Sequence, residues 1–264
     1  MGADIASEKC GTPGTRLAAI GYRPTLVATD GSLGLAEHPP FDRVIATCSV
    51  PAIPWAWARQ TRVGGLILAD LKLDGHAGNL VLLHRHDDRA EGRFDAGYGS
   101  FMTMRHAEPP PPKPAYPRHD RATAARSVTH LELPRPWEDL VFWFFAHLDA
   151  DLARARHGQV MDSATRHPGD AFLATPDGSW CEISAHPDGS GGREVWQGGP
   201  RKLWAELEAA HRRWSRLGQP GWERFGLTVT TQDHTVWLDA PDGAYSWLLT
   251  YPRASPGPQL EIHR

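Results

Sequence analysis

Cysteine is scarce in this sequence, and long apolar runs are missing altogether. Its three cysteines, Cys10, Cys48 and Cys181, are widely spaced and odd in number. They form neither a zinc-ligand pattern nor a disulfide framework, and a reducing cytoplasm is the setting this predicts. No stretch approaches the ~20 apolar residues needed to span a bilayer. The N-terminal M-G-A-D-I-A-S-E-K-C also lacks the apolar centre of a secretion signal. Gly2 after Met1, with Ala6 and Ser7 following, only weakly resembles a myristoylation motif, so no membrane partner is expected. A basic excess is missing too. With 28 Lys+Arg against 31 Asp+Glu the formal net charge is −3, which argues against a nucleic-acid partner. His84 and His86 would share one strand face, but with no third ligand in view they read as a solvated strand edge, and no metal site is expected. No Ser–His or Glu–His constellation stands out, so no catalytic residue is assigned.

What the sequence does have is punctuation: 26 glycines and 23 prolines distributed over 264 residues, enough for one large or two modest domains. The organising stretch is Tyr22–Asp70. Two short apolar runs, Thr25–Ala28 and Arg43–Cys48, and a third, Gly65–Ala69, lack polar–apolar alternation. Such runs suit strands buried on both faces of a parallel sheet. Pro54–Gln60 has the features of a crossover helix with a proline in its first turn. Together these predict an α/β fold. Thr15–Ile20 reads as a short helix stopped by Gly21. Leu80–Arg85 and Glu91–Phe94 flank a turn, and Tyr98–Met104 gives a further extended run.

Four motifs in this stretch stand in a known order. They are Asp30-Gly31-Ser32-Leu33-Gly34, Pro40-Phe41-Asp42-Arg43-Val44-Ile45, Ile53-Pro54 and Gln60-Thr61-Arg62-Val63-Gly64-Gly65. In order and spacing they resemble the central motifs of the protein-L-isoaspartate O-methyltransferases, and the resemblance covers roughly the first hundred residues. It implies a Rossmann-like methyltransferase domain, S-adenosyl-L-methionine as cofactor, and a peptide or protein substrate carrying Asp or isoAsp. Carried over residue by residue, Asp4 stands where an acidic strand end bonds the ribose hydroxyls, and Asp30 and Gly31 stand beside the adenine. Asp-Gly is equally a common turn dipeptide. Thr47, Cys48, Ser49 and Pro51 follow a strand at the carboxyl end of the sheet, where they would line the path to the methyl group; for Cys48 the alternative is a small buried hydrophobe. Ahead of Asp4 the family has a first strand, a glycine-rich loop and a helix, none of which stands in this sequence. Gly11-Thr12-Pro13-Gly14 follows no strand and reads as a turn. The methyltransferase domain is therefore expected to be incomplete, either as part of a longer protein or as a decayed fold.

Composition shifts at Pro109–Pro112, Pro114 and Pro117, which predict a stiff linker. The expected division is a partial methyltransferase domain over 1–105, a proline-rich linker over 106–126, a smaller α+β domain over 127–252 and a tail over 253–264. Within the second domain, Ser127–Leu133 reads as a strand and Trp137–Arg156 as a buried helix. Arg201–Leu217 reads as an amphipathic helix, and Asp177-Gly178, Asp188-Gly189, Gln232-Asp233 and Asp242-Gly243 read as hairpin turns. Trp180, Trp196, Trp204, Trp214, Trp222, Trp237 and Trp247 form either an aromatic core or a peptide groove. Two functions follow: a methyltransferase acting on a peptidyl carboxylate, or a non-catalytic protein that keeps the fold and binds a peptide or partner through its C-terminal domain.

Overall fold

The computed structural model describes residues 1–4, 14–35, 37–105, 121–150, 152, 154–161 and 168–249. The proline run, most of the Gly11–Gly14 turn and the 253–264 tail lie outside them. Three sheets carry the fold. Strands β1 (Gly2–Asp4) and β2 (Leu26–Ala28) form a parallel pair. A seven-stranded sheet contains β3 (Phe41–Val50), β4 (Thr61–Lys72), β5 (Gly78–Arg85) and β6 (Ala90–Phe94). It also contains β12 (Phe225–Val229), β13 (His234–Leu238) and β14 (Ser246–Leu248). Its order is β14-β13-β12-β6-β5-β4-β3. The third sheet is antiparallel, built from β7 (Ala125–Thr129), β8 (Arg156–Met161), β9 (Pro168–Ala174), β10 (Trp180–Ile183) and β11 (Arg193–Gly198) in the order β7-β11-β10-β9-β8.

The α/β class holds, with less parallel sheet than the apolar runs suggest. Within the seven strands only β3 and β4 are parallel. They are joined by helix α2 (Trp55–Gln60), which Pro54 opens as expected. An earlier helix, α1, covers residues 14–19. Burial on both faces, expected for all three apolar runs, fails at β2, where Leu26 and Val27 are half-buried and Thr25 and Ala28 exposed, and at β3. Ala46 is buried and Val44 and Cys48 partly so, while Ile45 is 65% exposed and Thr47 is exposed as well. The physical reason is that α2 and the core cover one face of this strand only.

Tyr98–Met104, expected as a further extended run, forms no strand in either large sheet. Its one described pairing is a parallel bridge from Thr103 to Ser49, on the edge of β3 away from β4. Helix α3 (Leu140–Asp149) is shorter than Trp137–Arg156. Asp139 caps its first turn by accepting from the Phe142 N–H at 3.0 Å, and the chain later passes through Arg154 at φ 60° to start β8. Helix α4 (Leu203–Arg216) buries Leu203, Trp204, Leu207, Ala210 and Trp214 on one face, as its periodicity predicts.

The main sheet does not respect the expected boundary. Strand β12 pairs antiparallel with β6, from Gly226↔Arg93 to Val229↔Ala90, so residues 225–248 complete the N-terminal sheet. Strand β7 likewise begins at Ala125, inside the segment assigned to the linker. One contiguous core runs from Ala46 and Ile67 through α3 to Leu173, Trp204 and Leu227. Helix α3 sits at its middle. Phe144 meets Phe94 at 5.1 Å and Trp222 at 5.1 Å, Phe142 meets Trp214 at 5.5 Å, and Trp143 meets His157 at 5.0 Å between ring centroids. Apolar across Leu140–Phe145, α3 reads as a buried helix, and Phe142–His147 are buried on all its sides while its two ends are partly so. Five of the seven C-terminal tryptophans, Trp180, Trp204, Trp214, Trp222 and Trp237, are buried, which favours the aromatic-core reading.

Candidate functional site

Strands β1, β2 and β3 bring their carboxyl ends together, and four of the residues singled out by sequence, Asp4, Gly31, Thr47 and Cys48, meet there, while Asp30 does not line the cavity. A cavity of about 490 Å³ is lined by Ala3, Asp4, Gly31, Thr47 and Cys48, together with Met102–Arg105. A second, of about 270 Å³, continues from it between β1 and β3, with Trp57 and Gln60 among its lining residues. Asp4 ends β1, and its backbone carbonyl accepts from the Thr29 N–H at 3.0 Å, tying β1 to the end of β2. Ser49 and Pro51 do not line either cavity. Ser49 is buried with its backbone bonded to Met102 and Met104, and Pro51 is exposed at a bend.

The Asp30–Gly34 loop is fastened from below by α2. Asp30 caps a 3-10 turn over Gly31–Leu33, its Oδ1 accepting from the Ser32 N–H at 2.9 Å and the Ser32 hydroxyl at 2.7 Å. Trp57 donates its Nε1–H to the Gly31 carbonyl at 2.8 Å. Gln60 reads both sides of the loop, accepting from the Leu35 N–H at 2.7 Å and donating to the Leu33 carbonyl at 3.0 Å. Gly34 has φ 67°, and a Cβ there would lie 2.2 Å from Gln60 Oε1. The first and last of the four motifs thus hold one another in place. Their joint occurrence in the sequence is the signal that could have pointed to Gln60.

Cys48 is half-buried, and its thiol is pushed up from the ordinary value by burial first, then by the negative charges of Asp70 and Asp4. It therefore stays protonated at neutral pH. Asp70 is fully buried on β4; its Oδ2 accepts from the Phe101 N–H at 2.7 Å and pairs with Lys72 at 3.1 Å. Asp70 Oδ1 has no hydrogen-bond partner among the described residues. This carboxylate sits beside the segment that closes the cavity, and sequence reasoning missed it. Met102–Arg105 escaped as well: Arg105 pairs with Asp4 at 3.7 Å, and Met104 Cε lies 3.7 Å from where a Cβ on Gly31 would stand. Both contacts join residues about a hundred positions or seventy positions apart, with no local pattern to announce them. His84 and His86 are exposed, and no cluster of metal-ligating side chains occurs among the described residues.

Residues 15–97 match the family model described as protein-L-isoaspartate(D-aspartate) O-methyltransferase. The chain is 34% identical over 74 residues to protein-L-isoaspartate O-methyltransferase 2 of Pelobacter propionicus, covering 28% of this chain and 33% of that protein. It is 35% identical over 89 residues to the protein-L-isoaspartate O-methyltransferase of Methylorubrum populi, covering 34% of this chain and 42% of the relative. The chain thus spans between a third and half of the length of these curated relatives. A solved protein-L-isoaspartate O-methyltransferase aligns over 94% of this chain and 66% of its own, at 17% identity and a TM-score of 0.43.

Proposed function

We propose, from the premise that residues 15–97 of this chain belong to the protein-L-isoaspartate O-methyltransferase family, that it carries part of an S-adenosyl-L-methionine-dependent enzyme. The reaction would methylate an aspartyl or isoaspartyl carboxylate on a peptide or protein. The supporting observation is the convergence of Asp4, Gly31, Thr47 and Cys48 on one cavity at the carboxyl ends of three strands, where open α/β sheets take their ligands. The residues present fit the adenosyl end of the cofactor. Asp4 offers an acceptor for hydroxyls, and Gly31 leaves room for a flat base. The methionine end is left without an assigned partner. When bound, the cofactor supplies a methyl group whose carbon–sulfur bond breaks as the carboxylate oxygen–carbon bond forms, so no proton changes hands. A peptidyl carboxylate, with a reference pKa near ~4, is already ionised at neutral pH. No side-chain base is needed, which fits a site without a catalytic His or Glu. Holding Cys48 as the thiol keeps a competing nucleophile out of the cavity.

The second reading, a binding protein that keeps the fold without turnover, is favoured by one observation. Arg105 already pairs with Asp4, and Met104 covers Gly31, so the chain itself occupies part of the adenosyl side. Calorimetric titration with S-adenosyl-L-methionine separates the two. The methyltransferase reading expects weak but saturable binding, with Kd on the order of 0.1–1 mM, and at least a tenfold loss in Asp4→Ala, since a hydrogen bond to a charged group is worth ~1.5–3 kcal/mol. Unsaturable heats, or an affinity indifferent to Asp4→Ala, would reject it in favour of the second.

A further inference from the structure

We propose that the cavity of about 360 Å³ between α3, α4 and β14 binds an organic monoanion, a single carboxylate carried on an aromatic body. This goes beyond the methyl-transfer reading and does not depend on it. Strands β14 and β3 are the two ends of the seven-stranded sheet. The strand that lines this cavity therefore stands six strand spacings, roughly 29 Å, from the strand that carries Cys48.

Three elements supply the lining. Phe145 of α3 and Trp247 of β14 form the apolar side, their rings edge to face with centroids 5.7 Å apart. Tyr245 stands two residues before Trp247, hence on the same side of the extended chain, and is 49% exposed. Ring edges and faces arranged in this way favour another ring, packed offset or edge-on.

The charged side comes from the last turn of α4, where Arg213 and Arg216 stand three residues apart and both line the cavity. Arg213 is already committed. Its Nε lies 2.9 and 2.7 Å from the two carboxylate oxygens of Asp149, and its Nη2 donates to the same group. Arg216 is exposed and has no carboxylate partner among the described residues. Two arginines against one aspartate leave a single positive charge in the lining, which selects a single negative one. A guanidinium takes a carboxylate with two parallel hydrogen bonds, so the free arginine specifies the group as well as the charge. The helix dipole favours arginine in this last turn. That accounts for the charge and not for the aromatic cavity beside it. A neutral aromatic would leave Arg216 without a counter-charge, and a polyphosphate would bring more charge than one guanidinium answers. A free aryl acid and the aromatic C-terminal residue of a peptide share the chemistry that remains.

The test uses the full 264-residue chain, with 3-phenylpropionate as the probe and its neutral amide as the control. Binding is followed by NMR through the indole N–H of Trp247, assigned from Trp247→Phe, and the backbone amides of residues 213–217. The acid should saturate these shifts with a Kd on the order of 1 mM, the range open to so small a ligand. The amide should bind at least tenfold more weakly. In Arg216→Gln, an exposed position, that preference should collapse to within twofold. Tyr245→Ala should weaken acid and amide alike, by at least threefold. Acetyl-Gly-Phe with a free carboxylate separates the sources: tighter binding than 3-phenylpropionate gives the site to chain ends, weaker binding to free acids. Equal affinity for acid and amide, an acid preference that survives Arg216→Gln, or no shift at these residues by 20 mM would each overturn the proposal. So would binding that appears only in the full chain carrying Leu260→Ser and Ile262→Ser, which would give the cavity to the protein's own C-terminal tail.

Discussion

Gln60 and Gly34 form the tightest residue-scale coupling in the site. With φ at 67° and no room for a Cβ beside Gln60, position 34 tolerates only glycine as long as the glutamine reaches under the loop. Gln60→Ala removes two hydrogen bonds that close the loop, each worth ~0.5–1.5 kcal/mol net. Gly34→Ala adds both a clash and left-handed backbone strain of ~1–2 kcal/mol. The two changes share one space, so their costs should not add. Gly34→Ala should cost less in the Gln60→Ala background by at least ~0.5 kcal/mol, a coupling of the size expected for residues in contact. Urea denaturation of the four proteins measures this, and strict additivity would show that Gln60 moves away freely. The same pair shows what was legible. Of the residues that resemblance assigns to the cofactor and substrate sides, Asp4, Gly31, Thr47 and Cys48 line one cavity, while Asp30 faces its own turn and caps Ser32. Resemblance could not show Arg105 and Met104 lying over them, because those contacts depend on how Tyr98–Met104, legible only as a further extended run, returns to β3.

At the scale of elements, α3 was legible in type and illegible in length. A run from Leu140 to Phe145 with no polar face says that the helix is buried, and Asp139 marks its start. Nothing local says that it stops at Asp149, where Arg213 of α4 pairs with that carboxylate. Burial also sets the charge state within it. His147 lies among Trp143, His157 and the backbone, its Nδ1 at 2.9 Å from the Trp143 carbonyl. Desolvation drives its pKa from 6.5 down to about 4, the carbonyl and Asp74 opposing and His157 adding to the fall. Because the folded pKa of this base lies below the unfolded one, the unfolded chain binds more protons between those values. The stabilising contribution is complete above pH 6.5 and is lost as pH falls toward 4, at ~1.4 kcal/mol per pH unit within that window. Burial lowers His211 and His234 as well, so they act in the same sense. Denaturant melts at pH 6.5 and 5.0 should differ by ~2 kcal/mol more in the wild type than in His147→Asn. An identical pH dependence in the variant would place His147 outside the acid response.

Over the whole molecule, the proline-rich stretch suggested a boundary that the sheets do not observe. Composition reports where a chain is stiff and exposed. It carries no information about pairing between residues more than a hundred positions apart, such as Leu227↔Gly92. Four kinds of contact hold that seam: the β6–β12 ladder, the Thr228 hydroxyl on Glu91 at 2.7 Å, Arg93 stacked 4.8 Å over Trp237, and His234 Nε2 against the Ile53 carbonyl at 3.0 Å. Independent folding of residues 127 onward is therefore not expected. A chain cut to 1–224 bares the edge of β6 and uncovers Phe144, whose ring lies 5.5 Å from that of Phe225. A second piece, 121–264, which overlaps the first over 121–224, loses the partner of β12 and leaves Phe142–Phe145 without the sheet they rest on. Each fragment should give a broad, non-cooperative melt by circular dichroism, while the intact chain melts in one transition. Mixing the two should restore part of the cooperative signal, because the seam is a ladder between complementary strands. A sharp melt for 121–264 alone, unchanged by adding the N-terminal piece, would reinstate two independent domains and reduce β12–β14 to an incidental contact.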